Sequence, residues 1–105
     1  MVIDKVKTGC GATTLAIDQP QDTIIAVPYT ALIVNKVSQP KHQDVLLGIY
    51  GHYKNGELMP IISDYLTTHT RIKIITTYDS LPKVCMTLTA LGHNPYEDMH
   101  LVIDE

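Results

Sequence analysis

The sequence predicts an α/β domain built on a parallel five-stranded sheet with flanking helices. Two observations carry this. Short runs rich in β-branched residues recur at Val2 to Val6, Thr23 to Val27, Asp44 to Tyr50, Lys73 to Tyr78 and His100 to Asp104, and several are continuous apolar stretches without alternation, the pattern of strands covered on both faces. Segments with helical spacing lie between the runs, and strands alternating with helices call for βαβ crossovers and parallel pairing.

Taken in order, the first strand leads into the glycine-bearing stretch TGCGATT and a brief helical segment, Ala12 to Ile17, which stops before Asp18 and Pro20. After the second strand, Thr30 to Val37 places Leu32, Ile33 and Lys36 at helical spacing. After the third, Pro60 sits where a first helical turn begins, ahead of Ile61, Ile62, Tyr65 and Leu66, because proline costs nothing where the N–H has no intrahelical partner. Ser80 is placed to cap a further helix, Leu81 to Leu91, with Pro82 in its first turn and Gly92 just past its end. The turn-rich patches Asp18 to Asp22, Gln39 to Gln43 and His93 to Asp98 read as short connections, so residues 1–105 form one compact unit.

Composition narrows the function. With 45% apolar and 18% charged residues the chain is globular rather than disordered; lacking Phe and Trp, it must fill its core with Ile, Val, Leu and Tyr. The net charge is -3 and the cations Lys5, Lys7, Lys36, Lys41, Lys54, Arg71, Lys73 and Lys83 are scattered, so no basic stripe exists and any polynucleotide contact is local. Cys10 and Cys85 have no CxxC spacing, and no leader or membrane-spanning run is visible, so a reducing, cytoplasmic setting without a membrane partner is expected. The histidines (His42, His52, His69, His93, His100) form no HExxH or Cys/His cluster and read as surface or loop residues. Cys10 reads as small-residue filler in its loop, and Cys85 as core packing.

Two stretches carry chemistry. In the first, Lys7, Thr8, Gly9, Cys10, Gly11, Ala12, Thr13 and Thr14 follow a strand and open a helix. Glycines let the backbone curl, and the amides of a first helical turn make an anion site at the positive end of the helix dipole. The frame is that of GxxxxGK[ST] with Ala12 at the lysine position and Thr13 where a hydroxyl ligands magnesium; an ordinary strand-to-helix turn is the alternative. In the second, HLVIDE sets an apolar strand directly before Asp104 and Glu105. It brings two carboxylates to the sheet's carboxyl edge, one suited to hold a metal through water and one to polarise an attacking water. The plainer alternative is a strand ending in solvated acids.

The ordered set TGCGATT, IIAVPYTAL, KIITTYDSL and LVIDE resembles motifs I, Ia, the Thr-containing strand end between Ia and II, and II of superfamily 2 helicases, and is most similar to the DEAD-like, origin-binding type of phages and mobile elements. The resemblance spans essentially the whole chain. It implies the N-terminal half of a P-loop NTPase domain of RecA-like type, binding ATP and Mg2+ and moving on DNA or RNA. Thr8 to Thr14 would then be the nucleotide loop, Thr13 and Asp104 the magnesium-side residues, and Asp104 and Glu105 the catalytic acids. Pro28, Tyr29 and Thr30, in PYTAL, resemble the family's PTRAL; these and Thr76, Thr77, Asp79 and Ser80 would touch nucleic acid. Tyr29 and Tyr78 can stack on bases or simply cap the sheet edge.

Thr30 replaces an arginine and Ala12 the lysine of those motifs. A phosphoryl clamp of this kind stabilises a transition state by about 3 to 4 kcal/mol, whereas a ground-state charge-assisted hydrogen bond is worth about 1.5 to 3 kcal/mol, so hydrolysis should suffer more than binding. Lys7, at the second position of the loop pattern, is the candidate replacement cation. A degenerate, non-hydrolysing module for nucleic-acid binding or replication-complex assembly is the second reading, and a small-anion binding domain the third. In the family the strand after motif II inserts between the phosphate-loop strand and the motif II strand. Ending at the motif II acids, the chain is expected to be an incomplete domain with a vacant central slot, prone to self-association through unpaired edges.

Overall fold

The computed structural model describes residues 2–6, 21–39, 45–51 and 56–104. Its elements in chain order are β1 (Val2–Val6), β2 (Thr23–Val27), α1 (Thr30–Val37), β3 (Leu47–Ile49), α2 (Leu58–Thr68), β4 (Lys73–Thr77), α3 (Leu81–Ala90), α4 (Pro95–Asp98) and β5 (His100–Asp104). They form an α/β domain with one parallel sheet, in the order β1-β5-β2-β4-β3, and flanking helices.

The unalternating runs take the middle of the sheet because they have apolar partners on both faces. Ile24, Ala26 and Ile74 pack with Ile62 of α2 and Val84 and Leu88 of α3. On the other face Ile25, Val27, Ile75 and Val102 pack with Ile33 of α1. Cys85 is buried in the first cluster, which pushes its thiol pKa up by desolvation. Gly48 lets α1 lie close to β3. A Cβ there would stand 2.9 Å from Ile33 Cγ2 and 3.0 Å from Val37 Cγ1.

The amino ends of the strands are tied by buried polar groups. Asp22 Oδ1 accepts from Ile72 N at 2.9 Å and the Asp22 carbonyl from His100 N at 2.9 Å, linking the entries of β2, β4 and β5. Tyr65 of α2 accepts from Lys73 N at 3.0 Å and donates to the Val45 carbonyl at 2.5 Å. Lys73, one of the scattered cations expected at the surface, is 1% exposed. Its Nζ donates to the Gln21 carbonyl and, at 3.1 Å, to Thr23 Oγ1. Its place in a two-sided strand outweighs the preference of an ammonium for water, and these acceptors offset the burial.

Several boundaries differ from those expected. β3 is reduced to Leu47–Ile49, because Val45 turns its carbonyl to Tyr65 instead of entering the ladder. α2 starts two residues before Pro60, which still falls in its first turn, and Leu58 there is buried. Residues 95–98, inside an expected turn, form α4, whose start is held by Asn94 Oδ1 accepting from Glu97 N at 3.3 Å. Gly92 ends α3 at φ 92° while His93 N donates to Leu88 O and Gly92 N to Thr89 O, the paired bonds of a Schellman stop. The expected helix Ala12 to Ile17 lies outside the described residues.

The vacant slot is not there. β1 pairs β5 directly and in parallel, from Val2↔His100 to Val6↔Asp104, and β5 pairs β2 on its other side. Backbone donors and acceptors facing a gap would be left without ladder partners, and closing the sheet satisfies them.

Candidate functional site

Because every pairing is parallel, the carboxyl ends of all the strands lie along one edge, the edge at which open α/β sheets bind ligands. Val6 and Asp104 are register partners. The chain leaving β1 toward Lys7 and the chain leaving β5 toward Glu105 therefore start side by side, about 4.8 Å apart. Lys7, Thr8, Gly9, Cys10, Gly11, Ala12, Thr13, Thr14 and Glu105 themselves lie outside the described residues. Asp104 is described as the last residue of β5.

The next two strands bring the other expected residues to the same edge. After β2, Pro28 is half-buried and Tyr29 and Thr30 are exposed. Tyr29 takes the N-cap position of α1 in an extended conformation without a side-chain cap bond. Helix α1 thus points its amino end, with its partial positive charge, at this edge. After β4, the Tyr78 N–H donates to the Val27 carbonyl at 3.1 Å, which ties the two exits together.

Not all of the expected nucleic-acid residues reach solvent. Asp79 is exposed and Thr77 half-buried. Ser80 is 4% exposed and makes no side-chain cap bond; its Oγ accepts from Thr77 Oγ1 at 3.3 Å. Thr76 is fully buried. Thr76 and Ser80 therefore serve the turn and the sheet, while Tyr29, Thr30, Tyr78 and Asp79 are exposed along this edge. Tyr50, one residue past β3, is exposed at the same edge. The β-branched run puts it inside the third strand, and the signal that locates it is the repetition of a tyrosine just beyond three apolar runs.

Away from this edge, an open groove of about 530 Å³ lies between β3 and α2 and is lined by Leu47, Pro60, Ile61, Asp64, Tyr65, Thr68 and His69. His69 stacks on Tyr65 with ring centroids 4.1 Å apart. Among the described residues no group of three or more His, Cys, Asp or Glu side chains could hold a metal, and no helix is long and apolar enough to cross a membrane.

Fold and edge together define a parallel α/β domain whose strand exits converge as they do in ligand-binding sheets. No family model, characterised protein or solved structure matches the chain.

Proposed function

We propose that this chain is the nucleotide-binding part of an ATP-dependent nucleic-acid helicase or translocase, with ATP held where β1 and β5 leave the sheet. One observation supports this above the rest: the register Val6↔Asp104, which starts the glycine loop and the acid pair from neighbouring strands. A phosphate loop and its acids must flank one crevice to act on one ligand. Thr8 to Thr14 would wrap the phosphates with backbone amides, Lys7 would add the cation that Ala12 lacks, and Glu105 would orient water.

The residues suit magnesium in number and type: Thr13 offers a hydroxyl and Asp104 a carboxylate that can act through water. Bound there, Mg2+ would neutralise charge on the phosphate oxygens. DNA or RNA would follow the edge past Tyr29, Thr30, Tyr78 and Asp79.

The direct β1–β5 pairing favours the second reading, a degenerate module that holds nucleotide without hydrolysing it and serves nucleic-acid binding or replication-complex assembly. In the resembled helicases a strand separates these two exits; its absence from between them narrows the crevice by about one strand spacing, 4.8 Å. A water aligned with the terminal phosphate has correspondingly less room.

Mg-ATP binding by titration calorimetry, with phosphate release on single-stranded DNA, tests both readings. The parent is expected to bind Mg-ATP. Lys7→Ala is expected to weaken that binding by about 10-fold, the loss of one charge-assisted bond. Turnover abolished by Glu105→Gln selects the motor; binding without turnover selects the passive module. No Mg-ATP binding by the parent overturns both.

A further inference from the structure

We propose that the outer side of β3, with the groove between β3 and α2, binds an extended peptide segment of a partner protein as an added strand. The segment sets a Lys or Arg against Asp64 and an apolar side chain, two positions away, against Ile61. The site lies away from the strand exits and does not depend on the nucleotide reading.

β3 ends the sheet and, among the described residues, pairs β4 alone. The outward N–H and C=O groups of such an edge can be completed by another extended chain. Leu47, Gly48 and Ile49 carry no charge or proline to repel one. Three residues span only about 10 Å, so the ladder by itself gives little affinity. Side chains must supply the rest.

α2 provides the wall for them. Ile61, Asp64, Tyr65 and Thr68 recur at helical spacing and line the groove beside Leu47. The stripe from Ile61 to Thr68 runs about 10 Å, the length of β3. The groove volume of about 530 Å³ is that of a binding cleft. Ile61 and, just ahead of β3, Val45 are 37% and 39% exposed, leaving apolar area for a partner to cover.

Charge selects the occupant. Three polar side chains of the groove are already engaged: the Tyr65 hydroxyl donates to the Val45 carbonyl, while Thr68 Oγ1 and His69 Nδ1 meet the Tyr65 carbonyl at 3.1 Å and 3.0 Å. The Asp64 carboxylate is exposed, has no hydrogen bond or ion pair to a described residue, and no Lys or Arg lines the groove. A trough with apolar walls and one unpaired anion complements a cation flanked by apolar groups. Side chains on one face of a strand recur at every second residue, which fixes that spacing. A second copy docked edge to edge would present the same patch, with another Asp64 and no cation.

The probe is the fluorescein-labelled, amidated peptide TVTKTVT, which puts Val, Lys and Val on one face in either strand direction. Anisotropy compares it with TVTETVT and with two N-methylated forms, one blocked on the Thr amides and one on the Val and Lys amides. The parent is expected to prefer TVTKTVT to TVTETVT about five-fold or more, and one of the methylated forms is expected to lose about five-fold or more. Asp64→Asn is expected to weaken TVTKTVT about three-fold, and Asp64→Lys to reverse the preference between the two peptides. Ile61→Gln is expected to weaken binding about five-fold, with thermal melts confirming the fold. Amide shifts in 1H–15N spectra are expected at residues 47–49 and along α2. No binding of TVTKTVT overturns the proposal, as does a preference unchanged by Asp64→Lys or parental affinity for both methylated forms. Butylamine bound as tightly as the peptide reduces the groove to an amine pocket and overturns the added strand. A dimer in sedimentation that Ile61→Gln dissolves, with no peptide bound, assigns the edge to a second copy instead.

Discussion

Tyr65 shows how much one hydroxyl can hold. It meets Lys73 N–H, the Val45 carbonyl and the Arg71 and Lys73 carbonyls, so it joins α2 to the entry of β4 and to the segment before β3. Tyr65→Phe keeps the ring and leaves buried backbone groups without that partner, and is expected to lower unfolding free energy by about 1 to 3 kcal/mol in urea titrations. The same phenol links stability to pH. Desolvation raises its pKa above the ordinary 10.0; the backbone bond from Lys73 opposes the rise and the Asp22 charge adds to it. The unfolded chain then loses this proton first, so the phenol's contribution is intact below about pH 10 and declines as pH rises from there through the folded pKa. Parent stability should fall on that alkaline limb, with a shallower fall in Tyr65→Phe. The sequence made some of this scale legible. Cys85 sits in the core as an apolar helix position implied, while Lys73 does not sit on the surface, because its acceptors, Gln21 and Thr23, are 50 and more residues away and no local pattern encodes them.

Among the elements, those bounded by local chemistry were the readable ones. β1, β2, α1 and β5 begin and end where the β-branched runs and helical spacing put them, and Gly92 stops α3 as expected. β3 is short for a tertiary reason, the capture of Val45 by Tyr65, and Ser80 gives up capping to accept from Thr77. The closeness of α1 to β3 is likewise absent from periodicity, since a glycine inside an apolar run does not say what approaches it. Gly48→Ala puts a methyl against the branched side chains of Ile33 and Val37, both on a packed helix face. It is expected to cost about 1 to 3 kcal/mol, read as a lowered melting temperature, and to move Tyr50 as well. A melting temperature equal to the parent's would mean that α1 slides away freely.

At the scale of the whole molecule, local signals say that the sheet is parallel but not which strands are neighbours. The gap expected beside β5 follows from the strand order of the helicases the sequence resembles, and ladder satisfaction closes it by pairing β1 with β5. The candidate site was legible in part for the same reason: motif spacing named the strand exits, and topology alone could align them. The sheet's order also ranks its strands. β5, β2 and β4 have partners on both sides, whereas β1 and β3 end the sheet. Amide hydrogen exchange is therefore expected to be slowest in β5, β2 and β4 and faster in β1 and β3; protection of β1 equal to that of β2 would place a further partner on its outer side. The distance along the chain between β1 and β5 has one more effect. During synthesis, Val2 to Val6 leave the ribosome long before residues 100–104 exist. The nascent polypeptide must therefore carry the ribbon of residues 2–6 unmatched until residues 100–104 emerge, so a segment made early finds its seat late.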